Sequence, residues 1–172
     1  MDLVVGRING EWRAGPAGGR LRWRCAIGRS GVRSDKHEGD GATPIGRWPL
    51  RRVLYRADRI PPPVTALATA VIDPADGWCD DPSHPAYNRQ VRLPFPASHE
   101  RLWRDDRLYD IVAVLAHNDD PPKAGLGSAV FLHVAREDYR PTAGCVALAP
   151  DHLVDFLSQA RPGDAVVVET PR

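Results

Sequence analysis

Phe131-Leu132-His133-Val134, followed after a polar turn by Pro141-Thr142-Ala143-Gly144-Cys145-Val146-Ala147, decides how this chain is read. Both halves are short apolar runs of strand character; one carries a histidine at 133 and the other a cysteine at 145. The thiolate, not the thiol, attacks, and a free cysteine with a pKa of about 8.5 is little ionised at neutral pH. A neighbouring imidazole that takes the proton and holds the ion pair is the usual way to activate such a residue. Gly144, directly before the cysteine, allows backbone N–H groups to turn toward a developing oxyanion. Residue types and order together point to acyl transfer by Cys145 with His133 as its base.

Working outward, the runs on either side are mostly β. Residues 108–116 are nearly all apolar, as expected of a central strand covered on both faces. That strand ends in the turn His117-Asn118-Asp119-Asp120-Pro121-Pro122, and residues 128–134 form the next strand, which delivers His133. After Cys145, Pro150-Asp151 opens a helix, since proline suits a first turn and Asp151 favours its dipole. Leu153, Val154, Phe156 and Leu157 repeat at helical spacing before Pro162-Gly163, and residues 164–169 make a closing strand. At the start, Asn9-Gly10 between two β-like runs is a hairpin signal. Residues 21–27 alternate with period two, which places Cys25 on the apolar face as a small buried hydrophobe.

Residues 28–46 hold almost no apolar side chains, and a structureless loop of that length is uncommon unless functional. No Gly-Lys-Ser/Thr motif makes it a phosphate loop. Strand character returns at residues 48–55, residues 61–63 are three prolines, residues 64–72 are apolar but of ambiguous type, and residues 73–100 read mostly as loop. Trp12, Trp23 and Trp48 are expected in the core or on a sheet face, while Trp78 and Trp103 are candidates for lining a peptide groove. The expected architecture is mainly β, with one short helix after the nucleophile and long loops, in a single domain over residues 1–172.

Composition excludes several functions. With 23 basic and 22 acidic side chains, the formal charge is +1, and there is no electrostatic footprint for nucleic acid or an anionic membrane. Three cysteines form no disulfide-dense pattern, so at least one thiol stays free. Asp73, Asp76, Asp80 and Asp81 do not have calcium-loop spacing, and Cys79 with His84 does not make a zinc site, so no metal or other cofactor is expected. No stretch is apolar for long enough to be a transmembrane helix. The first residues lack the basic and apolar regions of a secretory signal, so the chain is expected either to be cytoplasmic or to lack its export signal.

The motif Lys36-x-x-Gly39-Asp40-Gly41-x-Thr43-Pro44-x-Gly46, followed much later by a strand ending in His133 and by Thr142-x-Gly144-Cys145-Val146, resembles the L,D-transpeptidase catalytic domain (YkuD-like, ErfK-like). Tyr87-Asn88-Arg89 and His117-Asn118 before Gly125-x-Gly127-Ser128-Ala129 resemble one branch of that family. The resemblance implies a β-sandwich with a short helix beside the site and a location in the cell envelope. Its partners would be peptidoglycan stem peptides, as donor and as acceptor. It implies that Cys145 attacks the carbonyl between the third residue of a tetrapeptide stem and its terminal D-alanine. The amine of a second stem then resolves the thioester, giving a 3→3 crosslink.

By the same resemblance His133 is the base, the N–H groups around Gly144 and Cys145 form the oxyanion hole, and Thr142 orients the loop. Lys36 and Asp40 shape the loop or recognise substrate, and so do His117 and Asn118. His117 is also a candidate to replace the histidine that the family commonly has just before Gly-Cys, where Ala143 stands here. The family often uses a backbone carbonyl behind the base, so Asp110, Glu137 and Asp138 are not nominated. Ala147 replaces a common Arg or Asn, and His133 and Cys145 are closer in sequence than is usual. These departures keep two alternatives open: an L,D-carboxypeptidase or amidase, and a peptidoglycan-binding module with weak turnover.

Overall fold

Asn9 and Gly10 take positive φ, 51° and 84°, and fold β1 (Leu3–Ile8) back on β2 (Glu11–Pro16) as the hairpin expected from an Asn-Gly pair. The computed structural model describes residues 1–171; the last residue of the expected domain lies outside them. The chain continues through β3 (Trp23–Ala26), β4 (Val32–Arg33), β5 (Thr43–Pro44), β6 (Gly46–Tyr55) and β7 (Thr69–Val71). Next come β8 (Asp76–Cys79), β9 (Gln90–Arg92), β10 (His99–Arg101), β11 (Ile111–Leu115) and β12 (Phe131–Val134). Last are β13 (Val146–Leu148), the helix α1 (Pro150–Gln159) and β14 (Ala165–Val168).

The main sheet runs β11-β12-β13-β3-β2-β1-β14-β6-β7, and β6 also pairs with β11, so the circuit of neighbours closes. β6 manages this because residues 46–49 pair with β14 while residues 50–55 pair with β11. Between the two halves of this circuit lies one core, which includes Leu3, Val5, Trp23, Leu132, Val146 and Leu148. α1 closes it with the fully buried Leu153, Phe156 and Leu157, each on the face that its helical spacing predicts.

A second core lies on the outer face of the same strands and contains Leu54, Val112, Val114, Phe131, Tyr109, Trp78 and Cys145. This explains the continuous apolar run of β11: Ile111, Ala113 and Leu115 face the first core, Val112 and Val114 the second. Residues 73–100, expected to be mostly loop, supply part of the cover as a three-stranded sheet in the order β10-β8-β9. Each of these strands has only three or four residues and includes polar side chains or glycine, so no periodicity marks it. β4 and β5 likewise pair within the glycine-rich loop, and β7 within the ambiguous segment is exposed. Trp78 is buried and donates to Asn88 Oδ1 at 2.9 Å, and Trp103 lies under the Arg56 guanidinium. Neither of these two candidates for a groove wall lines the cleft that holds Cys145.

Candidate active site

β12 and β13 run parallel, with Leu132 opposite Val146 and His133 opposite Ala147. Side chains alternate across a strand, so the even-numbered residues 132, 134, 146 and 148 enter the first core. Phe131, His133, Cys145 and Ala147 therefore share the outer face, and the last three line one cleft. Two residues distant in sequence reach one cleft because the strands that carry them are hydrogen-bonded neighbours, with Cys145 one side-chain repeat diagonal to His133.

His133 Nδ1 lies 2.8 Å from the Val134 carbonyl oxygen. A carbonyl only accepts, so Nδ1 carries the hydrogen and Nε2 keeps its lone pair, as a base needs. Burial drives this imidazole down to about 4, despite the opposing effect of that hydrogen bond. Burial also pushes the Cys145 thiol up to about 12, and the Glu100 carboxylate adds to the shift. Cys145 Sγ donates to the Ala129 carbonyl at 3.2 Å and accepts from the Phe131 N–H at 3.3 Å. Both groups thus rest neutral, in place of the expected ion pair: the interior solvates neither charge, and the thiol proton already has an acceptor.

The glycine-rich loop borders the cleft. Asp40 accepts from the N–H groups of His37 and Ala42 and from Lys36 Nζ, which also donates to the His37 carbonyl. Burial opposes ionisation of Asp40, but these donors outweigh it and hold the carboxyl below its usual value. Lys36 and Asp40 therefore form a buried ion pair within the loop, in keeping with a loop-shaping role. Arg29, Arg104, Arg136 and Arg140 contribute positive charge to the cleft and Glu38 and Asp80 negative charge, while burial pushes the Glu100 carboxyl up from its ordinary value, toward its neutral form.

His117 and Asn118 lie in a separate surface pocket with Trp48, on the other side of Lys36, which borders both pockets. His117 meets Trp48 edge-on at 4.7 Å and bonds the Leu126 carbonyl through Nε2, and burial lowers its pKa. Asn118, with φ 49°, bonds Lys123 and Gly127 and holds residues 118–127 together. His117 therefore does not stand in the place of a histidine at 143.

Sequence reasoning gave no role to several residues that the fold brings to the site. Tyr87 donates to Glu38 and accepts from the Gly127 N–H at 3.0 Å, linking the loop to the segment before β12. Asn88 is buried among four hydrogen-bond partners. Glu100 accepts from Tyr109, whose ring lies 5.2 Å from that of His133. The only prior signal was the triplet Tyr87-Asn88-Arg89.

With this geometry in view, the family comparison is direct: the model of the L,D-transpeptidase catalytic domain, YkuD, matches residues 13–168. The chain belongs to the YkuD family. No curated protein matches it. The mainly β architecture, with one late helix among the described residues, agrees with a YkuD fold.

In this YkuD domain the turn before the cysteine is closed by Thr142. Its hydroxyl donates to the Cys145 carbonyl at 2.7 Å and accepts from the Gly144 N–H at 3.1 Å. The Gly144 N–H is thereby engaged, which removes it from the expected oxyanion pair. Gly144 has φ +146°, and a Cβ there would stand 2.9 Å from the Ala42 carbonyl oxygen, so conformation and space both demand glycine. The turn is anchored to the end of β3 by Thr142 N–H donating to Ile27 and Arg29 N–H to Thr142. Ala143 is exposed on the cleft rim, while Ala147 is buried beside His133 with only a methyl group to offer it.

Proposed function

We propose that residues 1–172 form one catalytic domain, a cysteine acyltransferase acting on peptidoglycan stem peptides. The YkuD family acts on peptidoglycan. The observation that carries the finer reading is that Cys145 and a correctly tautomerised His133 share one face of β12–β13, in a cleft with acidic and basic side chains. A stem peptide carries both carboxylates and an amine, and such a cleft offers partners to each.

Cys145 Sγ attacks the carbonyl carbon between the third residue and the terminal D-alanine, and His133 Nε2 takes the thiol proton. The tetrahedral intermediate collapses, the C–N bond breaks, and His133 returns the proton to the leaving amine of D-alanine. The Cys145 N–H is the amide we assign to the developing oxyanion. The side-chain amine of a second stem then attacks the thioester and loses its proton to His133; the C–S bond breaks, and His133 returns that proton to the departing sulfur, giving a 3→3 crosslink and the neutral pair again. Because both groups begin neutral, proton transfer accompanies attack, with no preformed ion pair. The setting we propose is the cell envelope, where such stems are found; among the described residues no helix is long and apolar enough to cross a membrane.

The test incubates the protein with a tetrapeptide stem, with and without an acceptor amine, and follows products by mass spectrometry. A dimer supports transfer; loss of D-alanine alone makes the protein an L,D-carboxypeptidase; no change leaves only a binding module. The variant C145A must abolish any turnover, and an undiminished rate in it would remove Cys145 as the nucleophile.

A further inference from the structure

Asn88 stands apart from every residue assigned a role above. It is buried, has φ 56°, and uses its whole side-chain amide. Nδ2 donates to the carbonyls of His117 at 3.0 Å and Asn118 at 2.7 Å. Oδ1 accepts from Trp78 Nε1 at 2.9 Å and from the Ala129 N–H at 3.0 Å. The last contact matters most, because Ala129 is itself in a left-handed conformation, φ 51°, which a residue with a Cβ rarely adopts without compensation. The carbonyl of this same residue accepts the Cys145 thiol. Two residues further on, the Phe131 N–H reaches Sγ from the same strand.

We propose that Asn88 is a positioning residue for the nucleophile: it holds Ala129 in its left-handed turn, so that the Ala129 carbonyl receives the thiol hydrogen and sets where Sγ sits against Phe131 and His133. The inference rests on the reading of Cys145 as the nucleophile. Without Asn88, the Ala129 N–H loses its buried acceptor and the left-handed turn loses its compensation. The carbonyl then leaves the thiol. Two effects of opposite sign follow. The thiol loses the acceptor that favours its neutral form, so it alkylates at lower pH, and the aimed sulfur is lost, so acyl transfer slows. A glycine at 129 adopts positive φ without penalty, so it should make Asn88 partly dispensable.

The experiment measures site-resolved iodoacetamide alkylation of Cys145 between pH 7 and 10, together with kcat for release of D-alanine from a tetrapeptide stem. In N88A the alkylation profile is expected to move down by about one pH unit while kcat falls about tenfold, and N88A/A129G is expected to recover most of both shifts. General loosening of the fold would also expose the thiol, so alkylation of Cys25, buried in the first core on the other side of the sheet, is followed alongside: a shift at Cys145 with Cys25 unchanged marks the local effect, and a parallel rise at Cys25 overturns the proposal. If N88A does not fold, N88S and N88S/A129G carry the same comparison. A parental alkylation profile in the single variant, or a double variant no better than the single, overturns the proposal. If C145A still turns over, the reading of the nucleophile has failed instead, whatever Asn88 does.

Discussion

At the residue scale, burial governs the proposed nucleophile and base. With its thiol held near 12, Cys145 should alkylate at pH 7 at least about a hundredfold more slowly than a free thiol of pKa about 8.5. Labelling of Cys145 at the free-thiol rate, followed by peptide mass spectrometry, would contradict this. His133 has a pKa of about 4 in the folded protein against an ordinary 6.5, so between these values the unfolded chain binds more protons. Stability should therefore fall as pH drops from about 6.5 toward about 4 and be fully present above that window, a loss on the order of 3 kcal/mol. Thermal melts across this range should show a shallower acid decline in H133Q than in the parent; equal slopes would mean that His133 is not held neutral. Gly144→Ala meets both a positive φ and the Ala42 carbonyl, and should cost about 1 to 3 kcal/mol or more. Denaturant melts measure it, and a cost under 0.5 kcal/mol, about the limit for a neutral surface change, would contradict the strain.

At the scale of elements, the site is a junction between strands and loops that hold each other in place. The Lys36–Asp40 pair is buried within the glycine-rich loop, so Lys36→Met strands the Asp40 carboxylate and should cost about 3 kcal/mol. Thr142→Val removes the bonds to the Cys145 carbonyl and the Gly144 N–H, whereas Thr142→Ser keeps both. The valine variant should lose about 1 to 2 kcal/mol and most of its turnover, with serine restoring it; equal turnover in the two would show that the hydroxyl does not place the cysteine. The helix is different. Leu153 is fully buried but faces the core on the far side of the sheet from Cys145, so Leu153→Ala should lose about 2 to 5 kcal/mol of stability with D-alanine release retained below the unfolding transition.

At the scale of the whole molecule, legibility follows the length and regularity of each element. β1, β2, β11, α1 and β14 could be read because a turn pair, an unbroken apolar run or a helical spacing marks each locally. The Cys145–His133 pair was visible through its motif, and so were Gly144 and Thr142. The sheet of β8, β9 and β10 was not, because strands of three or four residues have too few positions to show a period, and the second core they cover exists only once they pack on β11 and β12. Asn88, Tyr87 and Glu100 gave no local chemical signal, since their partners at 38, 109, 117 and 129 come from other elements. The sequence by itself determined the β-rich class, the helix after Cys145 and the choice of Cys145 and His133 as the proposed pair, all properties of neighbouring residues and backbone preference. Tertiary structure alone decided the protonation of that pair, the engagement of the Gly144 N–H, the exclusion of His117 from the cleft and the Asn88–Ala129 hold on the thiol. Each depends on burial, or on a hydrogen bond between groups that only the closed sheet brings within reach.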